Sequence, residues 1–310
     1  MDFLLLIAGL VGLWLGTELT IGGALAIARR LRLSEFFVGL VILSIGSDLP
    51  ELAVAVHAGI KGLAGTDASG VVVGTSIGSV VTQISFVLGV GALLSTLVLP
   101  RIFLFKHGAV LLASTVLLFA VCFDGRVSRF EGLGLIVFYA AYVVTLMARN
   151  TPSVEHDTVS GGGFSSWALL AVGLSTVILG SDITVNAVVN LARALEVSDV
   201  LISVVIIGLG TSLPELSISV SAIVKKRTQM SVGNIIGSNI LDTLLPIGIA
   251  AMISSVRFDR ELLWFDLPFI FVLTTIVLAL FLRRGGLQTP QGLILLCLYG
   301  IYVTTKLVQF

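Results

Sequence analysis

Ten stretches of this chain are each apolar over about the 20 residues that a helix needs to cross ~30 Å of hydrocarbon. They cover about 3–28, 35–60, 69–97, 103–122, 130–148, 166–191, 199–224, 231–254, 262–282 and 289–309. Inside a bilayer every backbone polar group must be satisfied within the protein, which long apolar segments achieve as helices. The expected fold class is therefore an all-α membrane protein with ten transmembrane helices. Composition agrees, with 56% hydrophobic residues, 12% charged residues and a mean hydropathy of +1.11, far from the balance of a soluble domain. The first stretch lacks a basic leader and a small-residue cleavage site, so it reads as a retained span. A formal net charge of zero and no basic patch give no support for a nucleic-acid partner. Cys122 and Cys297 fall in separate spans, which implies neither a disulfide framework nor a thiolate metal site.

The chain is also a duplication. Leu15-Gly16-Thr17-Glu18 answers Leu179-Gly180-Ser181-Asp182, Arg29 answers Arg193, and Glu51 answers Glu215, all at an offset of 164. Val73-Gly74-Thr75-Ser76-Ile77-Gly78-Ser79 answers Val232-Gly233-Asn234-Ile235-Ile236-Gly237-Ser238 at an offset of 159. The missing five residues fit in the polar loop 61–69, which is longer than 225–231. A hydrophilic linker, 149–165, separates a first five-helix repeat, 1–148, from a second, 166–310. Five spans per repeat is an odd number, so the second repeat must enter the membrane from the opposite side. Such inverted repeats are common in secondary transporters, which bind cargo at the midplane. With the N-terminus outside, inside loops hold eleven Lys and Arg and outside loops seven, counting Lys306 among the latter. The positive-inside bias then places both termini outside.

Each repeat carries nearly the same six residues within an apolar segment: Gly46-Ser47-Asp48-Leu49-Pro50-Glu51 and Gly210-Thr211-Ser212-Leu213-Pro214-Glu215. A carboxylate at membrane depth is costly and needs a partner, yet no Lys or Arg lies within these stretches. Proline has no N–H to donate, so Pro50 frees the Gly46 carbonyl and Pro214 that of Gly210. Carboxylates, hydroxyls and free carbonyls are the ligands that hard cations such as Ca2+ prefer. The next helix of each half adds Ser79 with Gln83, and Ser238 with Asp242, spacings that share one helical face. One proline-kinked span with a buried Glu has an ordinary structural account; two copies with matched polar partners point to mobile cations.

On these motifs the chain resembles the cation/calcium exchanger superfamily, and within it the prokaryotic sodium/calcium exchangers. The elements Gly74 to Ser79 and Gly233 to Ser238 complete the two repeats. The resemblance implies ten helices, with spans 2, 3, 7 and 8 around a diamond of cation sites and spans 1 and 6 sliding across them. It implies Glu51 and Glu215 as the central pair, Asp242 as the third acid, and Ser47, Thr211, Ser212, Ser79 and Ser238 as oxygen donors. The carbonyls of Ser44 and Gly208 sit where the family's carbonyl ligands do. The first repeat departs at Asp48, Gln83 and Thr75, where the family usually has Ser, Asn and Asn. Asp48 shares a face with Glu51 and makes a fourth carboxylate; the other reading is a helix cap. His57 reads as a satisfied helix-interior residue, and Lys225-Lys226-Arg227 as loop charges near headgroups.

The function expected is secondary antiport of Ca2+ against Na+ by alternating access, in a cell-membrane protein working as a monomer, with no cofactor and no enzyme activity. The alternative is a proton-coupled or K+-dependent divalent-cation exchanger of the same fold.

Overall fold

The structure, a computed structural model, describes residues 2–149, 163–195 and 208–309. Among these, eight helices are long and apolar enough to cross a membrane. They are α1 (Asp2–Leu31), α4 (Ser69–Leu94), α5 (Arg101–Val121), α6 (Arg129–Arg149), α7 (Gly163–Ala194), α10 (Thr228–Ile253), α11 (Leu262–Arg283) and α12 (Thr289–Gln309). A ninth span is broken into α2 (Glu35–Ser47) and α3 (Leu49–Leu63), bent by 45° at the joint. The short α8 (Gly208–Thr211) leads into α9 (Leu213–Val224). The start of the expected span 199–224 and most of the linker 149–165 lie outside the described residues, and α7 begins at Gly163, inside that linker.

Helix α10 is the axis of the molecule, buried along almost its whole length and packed by α2, α3, α4, α5, α6 and α9. Glycines set its closest crossing. A methyl on Gly233 would strike the Phe36 carbonyl, and one on Gly237 would strike Leu40 and come within 2.8 Å of the Ser44 hydroxyl. Backbone cannot yield as a flexible side chain does, so the two helices must separate to admit Cβ. Gly237→Ala is therefore expected to destabilise by about 3 kcal/mol, the upper range for overpacking. A purified variant whose thermal unfolding in detergent matches the parent's would show that the crossing is looser than this.

Helices α1 and α7 pack against each other along their lengths through small residues, the usual route to close approach where lipid offers no hydrophobic drive. Gly16 faces Val177 at 2.7 Å from its would-be Cβ, Gly180 faces Leu13 at 2.8 Å, and Gly9 and Gly173 meet Thr184 and Thr20. Two short backbone pairings tie loops together: β1 (Arg126–Val127) runs antiparallel to β2 (Val256–Arg257), and Leu97 bridges to Leu287. Arg257 of β2 pairs with Asp67 at 3.2 Å. Hydrogen bonds from Ser69 hold the Asp67 carboxyl, in the loop after α3, below the usual carboxylate range.

Two expectations, for Lys306 and His57, need correction. Lys306 is not a loop charge: it is buried, with Asp266 at 2.8 Å and Glu261 at 2.9 Å. Lys225 and Arg227 do lie in the loop after α9, where they pair with Glu18 and Glu35. His57 is exposed on α3, whose buried face is formed by Glu51, Ala55, Ala58 and Gly59.

Candidate functional site

Both acidic motifs sit where a helix restarts. Asp48 is the joint before α3, at φ −85° and ψ 7°, and Ser212 is its counterpart before α9, at φ −96° and ψ 10°. Proline then falls in the first turn of each new helix, where a missing N–H costs nothing. Glu51 and Glu215 follow in that same turn, at the positive end of a helix dipole that favours carboxylates. Neither joint residue caps its helix with its side chain. The Asp48 carboxyl instead accepts a hydrogen bond from the Ser47 hydroxyl at 3.3 Å and faces Glu215.

The four acids converge. Asp48, Glu51, Glu215 and Asp242 are all buried, and they stand close enough for their charges to interact. Among the described residues no Lys or Arg is paired with any of them. Asp48 Oδ2, Glu51 Oε2, both Glu215 carboxyl oxygens and Asp242 Oδ1 lack any hydrogen-bond partner, and so do the hydroxyls of Ser79, Ser212 and Ser238. Buried polar atoms are normally paired, so this concentration of orphaned oxygens marks a place built for something that donates positive charge. Among the described residues no group of three or more His, Cys, Asp or Glu is arranged to hold a metal ion by itself. The acids come from α3, α9, α10 and the α2–α3 joint, and the set is completed by neutral oxygens.

The other expected residues divide by what they already hold. Gln83, in a wide turn of α4, donates to Asp242 at 3.1 Å and leaves its own Oε1 unpaired. The Ser44 carbonyl accepts both the Asp48 N–H at 3.0 Å and the Ser47 hydroxyl at 3.3 Å, so an ion there competes with two donors. Thr211 is half-buried at the end of α8, and Gly208 begins that helix. The freed Gly210 carbonyl is met by the Ser181 hydroxyl of α7 at 3.3 Å. Other buried polar residues carry unpaired atoms too. Asn234 donates weakly to Ser219 at 3.4 Å with its Oδ1 unpaired, Ser76, Ser231 and Asn239 carry unpaired buried oxygens, and Tyr139 of α6 approaches Asp48 and Asp242. Asn234 is the repeat counterpart of Thr75, so the duplication itself marks it.

Comparison with known proteins agrees with this geometry. The family model described as sodium/calcium exchanger protein matches residues 1–148 and 165–308. The chain belongs to the sodium/calcium exchanger family. Among its relatives, an uncharacterised membrane protein of Methanocaldococcus jannaschii is 30% identical over 305 residues, covering 96% of this chain and 95% of that one. The sodium/calcium exchanger MaX1 of Methanosarcina acetivorans is 27% identical over 346 residues, covering 97% of each. Solved structures of the sodium-calcium exchanger NCX_Mj, one of them soaked with no Na+ or Ca2+, superpose with a TM-score of 0.84 at 26% identity, covering 98% of both chains. This exchanger is thus a multi-pass membrane antiporter.

Among the described residues the two halves of the site differ in exposure. A cavity of about 350 Å3 reaches Glu51 past Val54, Thr75 and Asp182. The repeat counterparts of Glu51, Val54 and Thr75 are Glu215, Ile218 and Asn234, all of which are fully buried.

Proposed function

We propose that this exchanger moves Ca2+ against Na+ by alternating access, with ions held between Glu51 and Glu215 and shared with Asp242 and Asp48. The observation that carries the reading is the cluster of four buried acids, unpaired by any described base. Ca2+ takes the carboxylates of the central pair; Na+ ions take the same oxygens with the hydroxyls of Ser47, Ser79, Ser212 and Ser238. The two loads exclude each other because they share carboxylates. An empty site would carry uncompensated negative charge through hydrocarbon, which is costly, so the loaded form moves and exchange is enforced. The cavity that reaches Glu51 fits one end of such a cycle.

Ten spans in two inverted repeats, with both termini outside a cell membrane, complete the proposal. The loop pairings support it. The segment between α5 and α6 pairs with that after α10, and the segment after α4 pairs with that between α11 and α12. The duplication exchanges these two pairings, as a two-fold axis in the membrane plane requires. The exchanger works as a monomer in this reading, since both halves of the site come from one chain.

The test is 45Ca2+ uptake into proteoliposomes under an imposed Na+, K+ or H+ gradient. A Na+ gradient is expected to drive uptake, and uptake driven only by K+ or H+ would overturn the choice of coupling ion. In the same assay Asp48→Ser is expected to weaken Ca2+ by about tenfold, equivalent to ~1.4 kcal/mol, and to change how Na+ competes. An unchanged ion preference would remove Asp48 from the site.

A further inference from the structure

Glu18 of α1 pairs with Lys225, just past the end of α9, at 2.7 Å. The offset of 164 carries Glu18 onto Asp182 and Lys61 onto Lys225. Asp182, on α7, lines the cavity that leads to Glu51, and Lys61 is exposed in the last turn of α3. Among the described residues neither Asp182 nor Lys61 has an ion-pair partner. The duplication thus supplies the same acid and base twice, and the structure joins only one pair. That pair stands beyond Ile218, which is fully buried; the parted pair stands beyond Val54, which lines the cavity.

We infer that Glu18–Lys225 and Asp182–Lys61 are alternating ionic latches, each closing the side of the site on which it forms. The inference rests on the alternating-access reading above. Its mechanical basis is the packing of α1 against α7, whose glycines press backbone on backbone at Gly16 and Gly180. The two helices move as one body, so a slide that separates Glu18 from Lys225 carries Asp182 toward Lys61. Both pairs are partly exposed, with Glu18 at 45% and Lys225 at 28% side-chain exposure, and such pairs bias an equilibrium by a few-fold. A few-fold bias suits a device that must release on every cycle. The neighbouring charges fit the assignment: Lys226 follows Lys225, and Arg227 is held by Glu35, leaving Lys225 to α1.

The test places a reporter cysteine on each side, Val54→Cys and Ile218→Cys, in the full chain in lipid nanodiscs with Ca2+ present. Labelling by a charged, water-soluble maleimide is timed against the parent, whose own thiols are the buried Cys122 and the exposed Cys297. Lys225→Gln is expected to slow labelling at position 54 about threefold and speed it at 218, and Lys61→Gln to do the reverse. The double reversal Glu18→Lys with Lys225→Glu is expected to restore the parent rates, which loss of folding cannot do. Equal rates in both single variants, or shifts in the same direction, overturn the latches while Na+-driven Ca2+ uptake leaves the exchange reading intact. Absence of that uptake in the parent overturns the reading beneath them.

Discussion

Glu51→Gln and Glu215→Gln are each expected to lower Na+-driven Ca2+ uptake by about a thousandfold. Both side chains are buried, and Glu215 has neither carboxyl oxygen bonded. Even a unit charge pair at ~4 Å contributes about 4 kcal/mol at an effective dielectric near 20, which is about three decades in affinity. Glutamine keeps the shape and one oxygen but loses that charge. The fold is expected to tolerate the change, because each substitution removes one of four like charges crowded around the α2–α3 and α8–α9 joints. The signature is therefore a loss of transport without a loss of protein: a normal gel-filtration profile, an unfolding temperature at least as high as the parent's without Ca2+, and no upward shift when Ca2+ is added. A variant retaining uptake within tenfold of the parent would mean that the central pair does not carry the ion. If the unfolding temperature fell instead, the glutamates would be serving the fold, as a buried, hydrogen-bonded structural acid does.

Much of this was legible because the membrane simplifies the physics. Lipid demands helices of fixed length, so apolar runs alone marked spans at 69–97, 103–122 and 262–282 that the structure places within a few residues. The motifs were legible for a related reason. A proline beside a carboxylate in an apolar run breaks the helix and leaves a charge to be answered, and doing so twice is a pattern no structural need repeats by accident. The direction of the Asp48 side chain was not legible. Capping and ligation both place Asp at a helix start, and only the three-dimensional joint shows the carboxyl turned to Ser47 and Glu215. Long-range ion pairs were equally hidden. Glu18 and Lys225 are 207 positions apart, and nothing local distinguishes a loop lysine from one held by a distant helix. The buried contact between Asn234 and Ser219 was hidden by its ordinariness, since polar residues of that size also satisfy helix backbones.

Lys306 is the clearest case of that blindness and carries the second large effect. Near the end of an apolar span it has the sequence signature of a headgroup anchor, yet it lies inside the protein against Asp266, which is fully buried. Tyr302 donates to the other Asp266 oxygen at 2.7 Å, and the ammonium also lies 5.3 Å from the centre of the Phe265 ring. Every strong group in the cluster is matched, so the arrangement is costly only when broken from one side. Lys306→Met is expected to destabilise by ~3–5 kcal/mol, the range for stranding a buried charge, and to be visible as a large drop in unfolding temperature in detergent. Adding Asp266→Leu to Lys306→Met is expected to return most of that loss, because removing both charges strands neither. The cluster joins α11 to α12 and includes none of the four acids, so the rescued double variant is expected to exchange Ca2+ at near the parent rate. A double variant as unstable as the single one would mean that Lys306 acts through its contacts with Glu261 and Phe265 and not by balancing Asp266. A stable double variant that no longer transports would tie the α11–α12 pair to the moving parts of the exchanger.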